Sequence, residues 1–146
     1  MKKIRLVVVG KLKEKFFADA CAEYLKRLSR FADVSVVEIK DRPDGIALES
    51  SDVLDAVKGY IALADLGGES MTSEQFSAFL MGALESNDTV SFVIGGSCGV
   101  DGRVKAKANK KICFGKMTYP HMLMRVILLE QIYRAFTIKE GLPYHK

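Results

Sequence analysis

The stretch TVSFVIGGSCG, residues 89–99, decides the fold. Apart from Thr89 and Ser91, its first six residues are apolar and mostly β-branched or aromatic. A strand without a continuous polar face is buried on both sides, as happens in parallel sheets. The strand ends abruptly in Gly95-Gly96-Ser97-Cys98-Gly99, and a short basic helix over 102–108 is expected next. Strand, glycine loop and helix in that order predict one unit of an α/β sheet. The loop then stands at the carboxyl end of its strand, where such sheets bind ligands.

The same alternation runs outward in both directions. Residues 4–9 read as a first buried strand ending at Gly10. Residues 13–30 read as an amphipathic helix, with Phe16/Phe17, Ala20/Cys21, Tyr24/Leu25 and Leu28 recurring at helical spacing. A second strand over 34–39 leads into the polar loop DRPDG and a short helix over 51–57. A third strand over 60–66 ends at Asp65 and the turn Gly67-Gly68. Thr72 stands three residues before Gln75, the spacing of a capping box, and Phe76, Phe79, Leu80, Ala83 and Leu84 form that helix's core face. Beyond the glycine loop come a fifth strand over 111–114, a loop over 115–120 and a last helix over 121–136. The expectation is one α/β domain, residues 1–146, with a mostly parallel sheet and helices on both faces.

Composition narrows the function. With 146 residues and 49% hydrophobic content the chain can hold a core of its own. No apolar run approaches the roughly 20 residues of a membrane span. The opening MKKIRLVVVG is read as a strand, because Gly10 and Lys11 cut its apolar run short. Three widely spaced cysteines, Cys21, Cys98 and Cys113, argue against a disulfide framework and a zinc site, and point to a reducing, cytoplasmic setting. The net charge of +4 conceals an asymmetry. Residues 41–88 carry ten acids against Arg42 and Lys58, a balance of −8 that leaves +12 on the remainder. Residues 102–129 carry Arg103, Lys105, Lys107, Lys110, Lys111, Lys116 and Arg125 with no acid. Such one-sided charge suits a polyanionic partner, although a solvated basic surface has the same composition.

Several residues admit two readings each. GGSCG is a tight turn or a backbone cradle for a nucleoside; it matches neither the dinucleotide fingerprint nor the P-loop. Cys98 is a nucleophile only if a base reaches it, and His121 is the one to consider. Asp65 orients a ligand hydroxyl or forms a turn. His121 opens the last helix as a packing residue or as a site residue. The closing Tyr144, His145 and Lys146 form a frayed end or an RNA contact that combines a stacking ring, a titratable ring and a cation. The last helix is apolar nearly all round, which predicts burial on more than one side and a second subunit against it. Glu130 and Arg134 stand i, i+4 and can pair.

Three motifs in fixed order carry a resemblance: IGGSCG after the fourth strand, TYPHMLMRVILLEQIYRAF, and GLPYHK at the end. Together with the opening VVVGK they make the whole chain resemble the ribosomal RNA large-subunit methyltransferase H family, of the SPOUT class. The resemblance implies an α/β fold with a C-terminal trefoil knot and methylation of the 3-nitrogen of a pseudouridine in 23S ribosomal RNA, in the assembled ribosome. It implies a homodimer, S-adenosylmethionine as cofactor and no metal. The cofactor site would take Ala64, Gly95, Phe114, Gly115, Lys116, Met117, Thr118 and Tyr119. His121, Arg125 and Lys146 would face RNA, with Arg125 and the tail stabilising the anionic ring and Tyr144 and His145 as candidates for proton transfer. The chain departs from the family at Ala64, often leucine, and in a short 40–59 segment. A non-catalytic RNA-binding module is the alternative on the same basic strip. A nucleotide-dependent oxidoreductase is disfavoured, because the fingerprint after the first strand is missing.

Overall fold

A computed structural model of the chain describes residues 1–42 and 44–146; Pro43, in the expected DRPDG loop, lies outside the described residues. Strands and helices alternate throughout: β1 (Lys3–Val9), α1 (Lys15–Leu28), β2 (Asp33–Ile39), α2 (Ile46–Ala56), β3 (Tyr60–Ser70), α3 (Ser73–Ser86), β4 (Thr89–Ile94), α4 (Gly102–Lys107), β5 (Lys110–Cys113) and α5 (His121–Glu140). All pairings are parallel, and the strand order is β2-β1-β4-β3-β5. This is the expected α/β architecture.

The most apolar strands, β1 and β4, lie side by side, with Val8 paired to Ile94. Their side chains alternate between two cores. Ile4, Leu6 and Val8 join Phe92 and the inner residues of α1, α3 and α5. Val7, Val9 and Val93 face the other way, onto Val53 of α2 and Val104 of α4. Helix α5 runs between α1 and α3. Leu128, Leu129 and Ile132 are fully buried there, each contributing about 1.5–3 kcal/mol of burial. The near all-round apolarity of α5 thus has two causes inside one chain, since neighbouring helices cover flanks that the sheet cannot reach. Thr72 and Gln75 form the expected capping box: the Gln75 N–H donates to Thr72 Oγ1 at 3.1 Å, and the Thr72 N–H to Gln75 Oε1 at 2.9 Å.

Four local expectations are corrected. Strand β3 does not stop at the Gly67-Gly68 pair. The segment after Ala64 bulges out, and pairing with β5 resumes at Glu69 opposite Ile112. Glycine makes this possible, because a Cβ at Gly68 would lie 2.5 Å from the Lys111 carbonyl carbon. Helix α2 begins at Ile46, well before 51, since Glu49 and Ser50 are buried and only look like exposed polar residues in the sequence. Helix α5 continues to Glu140 because Thr137 is fully buried, and it stops at Gly141, whose φ of 65° is left-handed. Phe16, placed on the core face of α1 by periodicity, is 66% exposed, one residue outside the stripe that Cys21 and Leu28 bury.

Candidate active site

Because every strand points the same way, the bulge of β3 and the loops that follow β4 and β5 open at one end of the sheet. There they enclose a cavity of about 310 Å³, at the small end of the roughly 300–1,000 Å³ of small-molecule sites. Ala64, Asp65 and Leu66 contribute from the β3 bulge, and Gly95 to Val100 from the loop after β4. Phe114, Gly115, Met117, Thr118 and Tyr119 contribute from the loop after β5. Lys105 of α4 and His121 and Met124 of α5 complete the wall.

The loop after β4 owes its shape to contact with itself. The Gly99 N–H donates to the Gly96 carbonyl at 2.9 Å. A Cβ on Gly95 would come within 2.8 Å of the Gly99 backbone, so this glycine serves the crossing of the loop and thereby its cavity face. Asp65 Oδ1 accepts the Gly67 N–H at 3.1 Å, which makes Asp65 a turn former that also lines the cavity. Cys98 is exposed on the cavity wall with His121. Cys21 and Cys113 are buried, as expected of core thiols, and burial raises the Cys21 thiol against the opposing pull of Arg125. The wall therefore offers apolar faces from Leu63, Ile94 and Ile112, one carboxylate, one ammonium and one imidazole. Among the described residues no three His, Cys, Asp or Glu gather as a metal site would need.

Of the eight residues expected to hold a cofactor, seven line this one cavity; Lys116 does not and is exposed. The residues expected at RNA divide. His121 lines the cavity and Lys146 is exposed. Arg125, expected to face RNA, is only 2% exposed, and its guanidinium donates to Glu38 Oε2 at 2.7 Å and to the Gly10 carbonyl at 3.0 Å. Its helical position turns it inward, toward the ends of β1 and β2. The sequence reading passed over Glu38 entirely; the available signal was a lone arginine within an apolar helix, which needs an acid from elsewhere in the chain.

The tail is neither frayed nor in the cavity. It folds back onto α5. The Tyr144 hydroxyl donates to Glu130 Oε2 at 2.7 Å, and its ring packs edge-on against Tyr133. Arg134 pairs with Glu130 at 2.6 Å, as the i, i+4 spacing expected, and its guanidinium lies over the Tyr144 ring. Arg134 has only donors, so His145 Nδ1 accepts from it at 3.0 Å, which leaves the ring proton on Nε2, 2.8 Å from Glu74 Oε1. Burial, then hydrogen bonding with Tyr24 and Glu130, raises the Tyr144 phenol above its usual range. A raised value in the folded state means that this phenol's contribution to stability is complete below the ordinary pKa of about 10 and is lost as pH rises through the raised value. Stability measured by urea unfolding should therefore fall less steeply above about pH 10 in Tyr144→Phe than in the unaltered chain. Absorbance titration should show that the variant lacks the last phenol to ionise.

The comparisons with known proteins agree with this geometry. The family described as "Predicted SPOUT methyltransferase" matches residues 1–145. The chain is 45% identical to the ribosomal RNA large subunit methyltransferase H of Clostridium acetobutylicum, over 98% of this chain and 99% of that protein. It is also 45% identical to the protein of that name from Ruminiclostridium cellulolyticum, over 99% of both. The first alignment spans 157 residues against the 146 of this chain, so the relative carries residues that this chain lacks. Among solved structures, a probable methyltransferase from Bordetella pertussis superposes with a TM-score of 0.57 at 14% identity, covering 92% of this chain and 96% of its own. A tRNA (m1G37) methyltransferase from Aquifex aeolicus does so with a TM-score of 0.54 at 16% identity, covering 98% and 72%. At those identities the two structures speak for the fold alone. The family match and the near full-length relatives go further: the chain belongs to the SPOUT methyltransferases and, within them, to the ribosomal RNA large subunit methyltransferase H family.

Proposed function

We propose that this chain is an S-adenosylmethionine-dependent methyltransferase acting on the 3-nitrogen of a pseudouridine in 23S ribosomal RNA, in the cytoplasm, on the assembled ribosome and as a homodimer. The observation that carries the reading is the cavity at the ends of β3, β4 and β5, where seven of the eight expected cofactor residues converge. Relatives named for ribosomal RNA methylation support the RNA substrate. So do the exposed bases of this region: Lys105 on the cavity wall, Lys116 between the lining residues Gly115 and Met117, and Lys107 and Lys111 on α4 and β5. Membership of the SPOUT class also carries the expectation of a C-terminal trefoil knot.

The residues fit the cofactor chemically. Leu63, Ile94 and Ile112 would take an adenine face, Asp65 a hydroxyl or ammonium, and Lys105 a carboxylate. When bound, S-adenosylmethionine supplies an electrophilic methyl group on a cationic sulfur. The chain's own part is to hold both reactants in place, exclude water and manage one proton. The imide proton of the target ring leaves before or during attack, and His121 is the imidazole that lines the cavity to receive it. The neighbouring lysines favour the anionic ring that results.

Arg125 is buried, so it supports this chemistry from behind the wall. The tail raises a question of reach. Helix α5 has 20 residues and is about 30 Å long, with His121 at one end and Gly141 at the other. The six residues after Glu140 span at most about 20 Å when fully extended. Within one chain Tyr144 and His145 are held away from the cavity by Glu130, Arg134 and Glu74, and their service to the RNA step falls to a second subunit. Leu123 and Ile127, one turn apart on α5 and only part-buried, are suited to that interface; Leu128 and Leu129 are sealed in their own core.

Calorimetry should detect S-adenosylmethionine binding, and radiolabelled methyl transfer should be seen on ribosomes from cells lacking the activity. Gly95→Val, which breaks the loop crossing, should weaken binding at least tenfold, about 1.4 kcal/mol; normal binding by a folded variant would move the site elsewhere. Sedimentation at micromolar concentration should show a dimer, lost in Ile127→Glu. A chain ending at Leu142 should bind the cofactor yet transfer at least about a hundredfold more slowly, some 2.7 kcal/mol of lost transition-state stabilisation. Mixed with the Gly95→Val chain, it should regain transfer in hybrid dimers. A mixture as inactive as its components would refute service of the tail across subunits.

A further inference from the structure

Arg125 is the largest fully buried side chain in the protein. Nη1 donates to Glu38 Oε2 at 2.7 Å, Nη2 to the Gly10 carbonyl at 3.0 Å, and Nε is buried with no hydrogen-bond partner. The same Glu38 oxygen accepts the Leu12 N–H at 3.2 Å. Burial raises the Glu38 carboxyl, but the hydrogen bonds from Arg125 and the Leu12 N–H outweigh it and leave the group below its usual range, hence ionised. Only the arginine end of this pair is buried, at 2% against 38% for the Glu38 side chain, and a guanidinium brought into a core with one N–H unsatisfied is a poor way to stabilise it. What the arrangement provides is direction. It ties three segments distant in sequence to one point: the end of β1 with the loop after it, the end of β2 and the first turns of α5.

That point adjoins the cavity. Gly10 has a φ of +101°, and a Cβ there would lie 2.9 Å from the Met122 methyl and 3.2 Å from His121 Nε2. The residue whose carbonyl Arg125 grips thus presents its bare α-carbon to the His121 ring. Arg125 stands one helical turn beyond His121 on the same helix, and Met124 beside it lines the cavity with His121. Pulling α5 toward β1 through Arg125 sets how closely His121 seats on Gly10, and with it the end of the Tyr119–Pro120 loop that closes the cavity.

We propose that Glu38 and Arg125 are positioning residues for methyl transfer, acting through Gly10 to fix the His121 ring at the cavity wall. The role rests on the methyltransferase reading above, but part of its test does not. The protein contains two histidines, so a His145→Gln variant assigns the His121 ring resonances in the full-length chain. Glu38→Gln keeps an acceptor for the Leu12 N–H and removes the charge that holds Arg125. Its His121 resonances should shift while those of His145 stay in place. S-adenosylmethionine binding by calorimetry should remain within about threefold of the unaltered chain. The single-turnover methyl-transfer rate on ribosomes should fall at least about tenfold. Arg125→Lys, which keeps the charge but cannot bridge Glu38 and Gly10 together, should show the same split, and it stands in if Glu38→Gln fails to fold. Unchanged His121 resonances in a folded variant would overturn the proposal, as would a rate loss matched by an equal loss of cofactor affinity. If the unaltered chain neither binds the cofactor nor transfers methyl groups, the methyltransferase reading fails, and the resonances alone decide whether the clamp positions His121.

Discussion

A parallel ladder cannot be closed by a tight turn, so each strand must be carried back to the starting edge by a crossover, here a helix. Most of this molecule follows from that constraint. The crossovers sheathe both faces, which is why β1 and β4 are apolar on both sides. They also send every strand the same way, so the segments leaving β3, β4 and β5 are neighbours although they lie far apart in sequence. The cavity is a product of topology before it is a product of side chains. Its glycines are where backbone meets backbone at that crowded end: Gly68 against Lys111, and Gly95 against Gly99.

Charge is laid out on the same frame. The acidic middle of the sequence forms α2, β3 and α3, whereas the basic run forms α4, β5 and the loop beyond. Where the two meet, some charges neutralise each other. Lys110 pairs with Glu69 across the resumed β3–β5 ladder, while Arg42 pairs with Asp52 inside the acidic segment itself. Arg103 is held by Asp101 and by the Ala47 carbonyl of α2. Lys105, Lys107, Lys111 and Lys116 remain exposed, and Lys105 lines the cavity. At physiological salt exposed pairs of this kind stabilise little, so the value of the asymmetry lies in the field it projects toward a polyanion.

The strands, the capping box at Thr72 and the glycine loop were legible in the sequence because each is a local pattern. A buried strand shows its lack of a polar face, and a cap shows its spacing. What was not legible depends on partners that local periodicity cannot see. Glu38 and Arg125 are 87 residues apart; the arginine stands out within an apolar helix, but nothing local marks Glu38 as its partner. The start of α2 was missed because Glu49 and Ser50 count as surface residues by type. Yet Glu49 accepts the Arg42 N–H at 2.5 Å, and Ser50 the Asp101 N–H at 3.0 Å. The tail was the hardest case. Tyr144, His145 and Lys146 carry the chemistry of an RNA contact whether or not they are latched, and only the positions of Glu74, Glu130 and Arg134 show that the first two are.

Helix α5 connects these observations, because its two halves solve opposite problems. Near its start it is polar on the inside: Arg125 carries a charge into the core and draws the helix onto β1. Near its end it is polar on the outside, where Glu130 and Arg134 hold Tyr144 and His145 against its surface. Between them Leu128, Leu129 and Ile132 lock the axis into the core, so neither end can shift without disturbing close-packed side chains. A buried polar network tolerates little displacement, whereas a part-exposed one can exchange its partners for water at modest cost. At the cavity end only Arg125 is sealed, at 2% against 38% for Glu38, while at the tail end Arg134 and Glu130 keep 24% and 18%. The homodimer proposed above would require the contacts of Tyr144 and His145 to exchange for water, so that one end of the helix shapes a pocket while the other lends its tail to a second subunit.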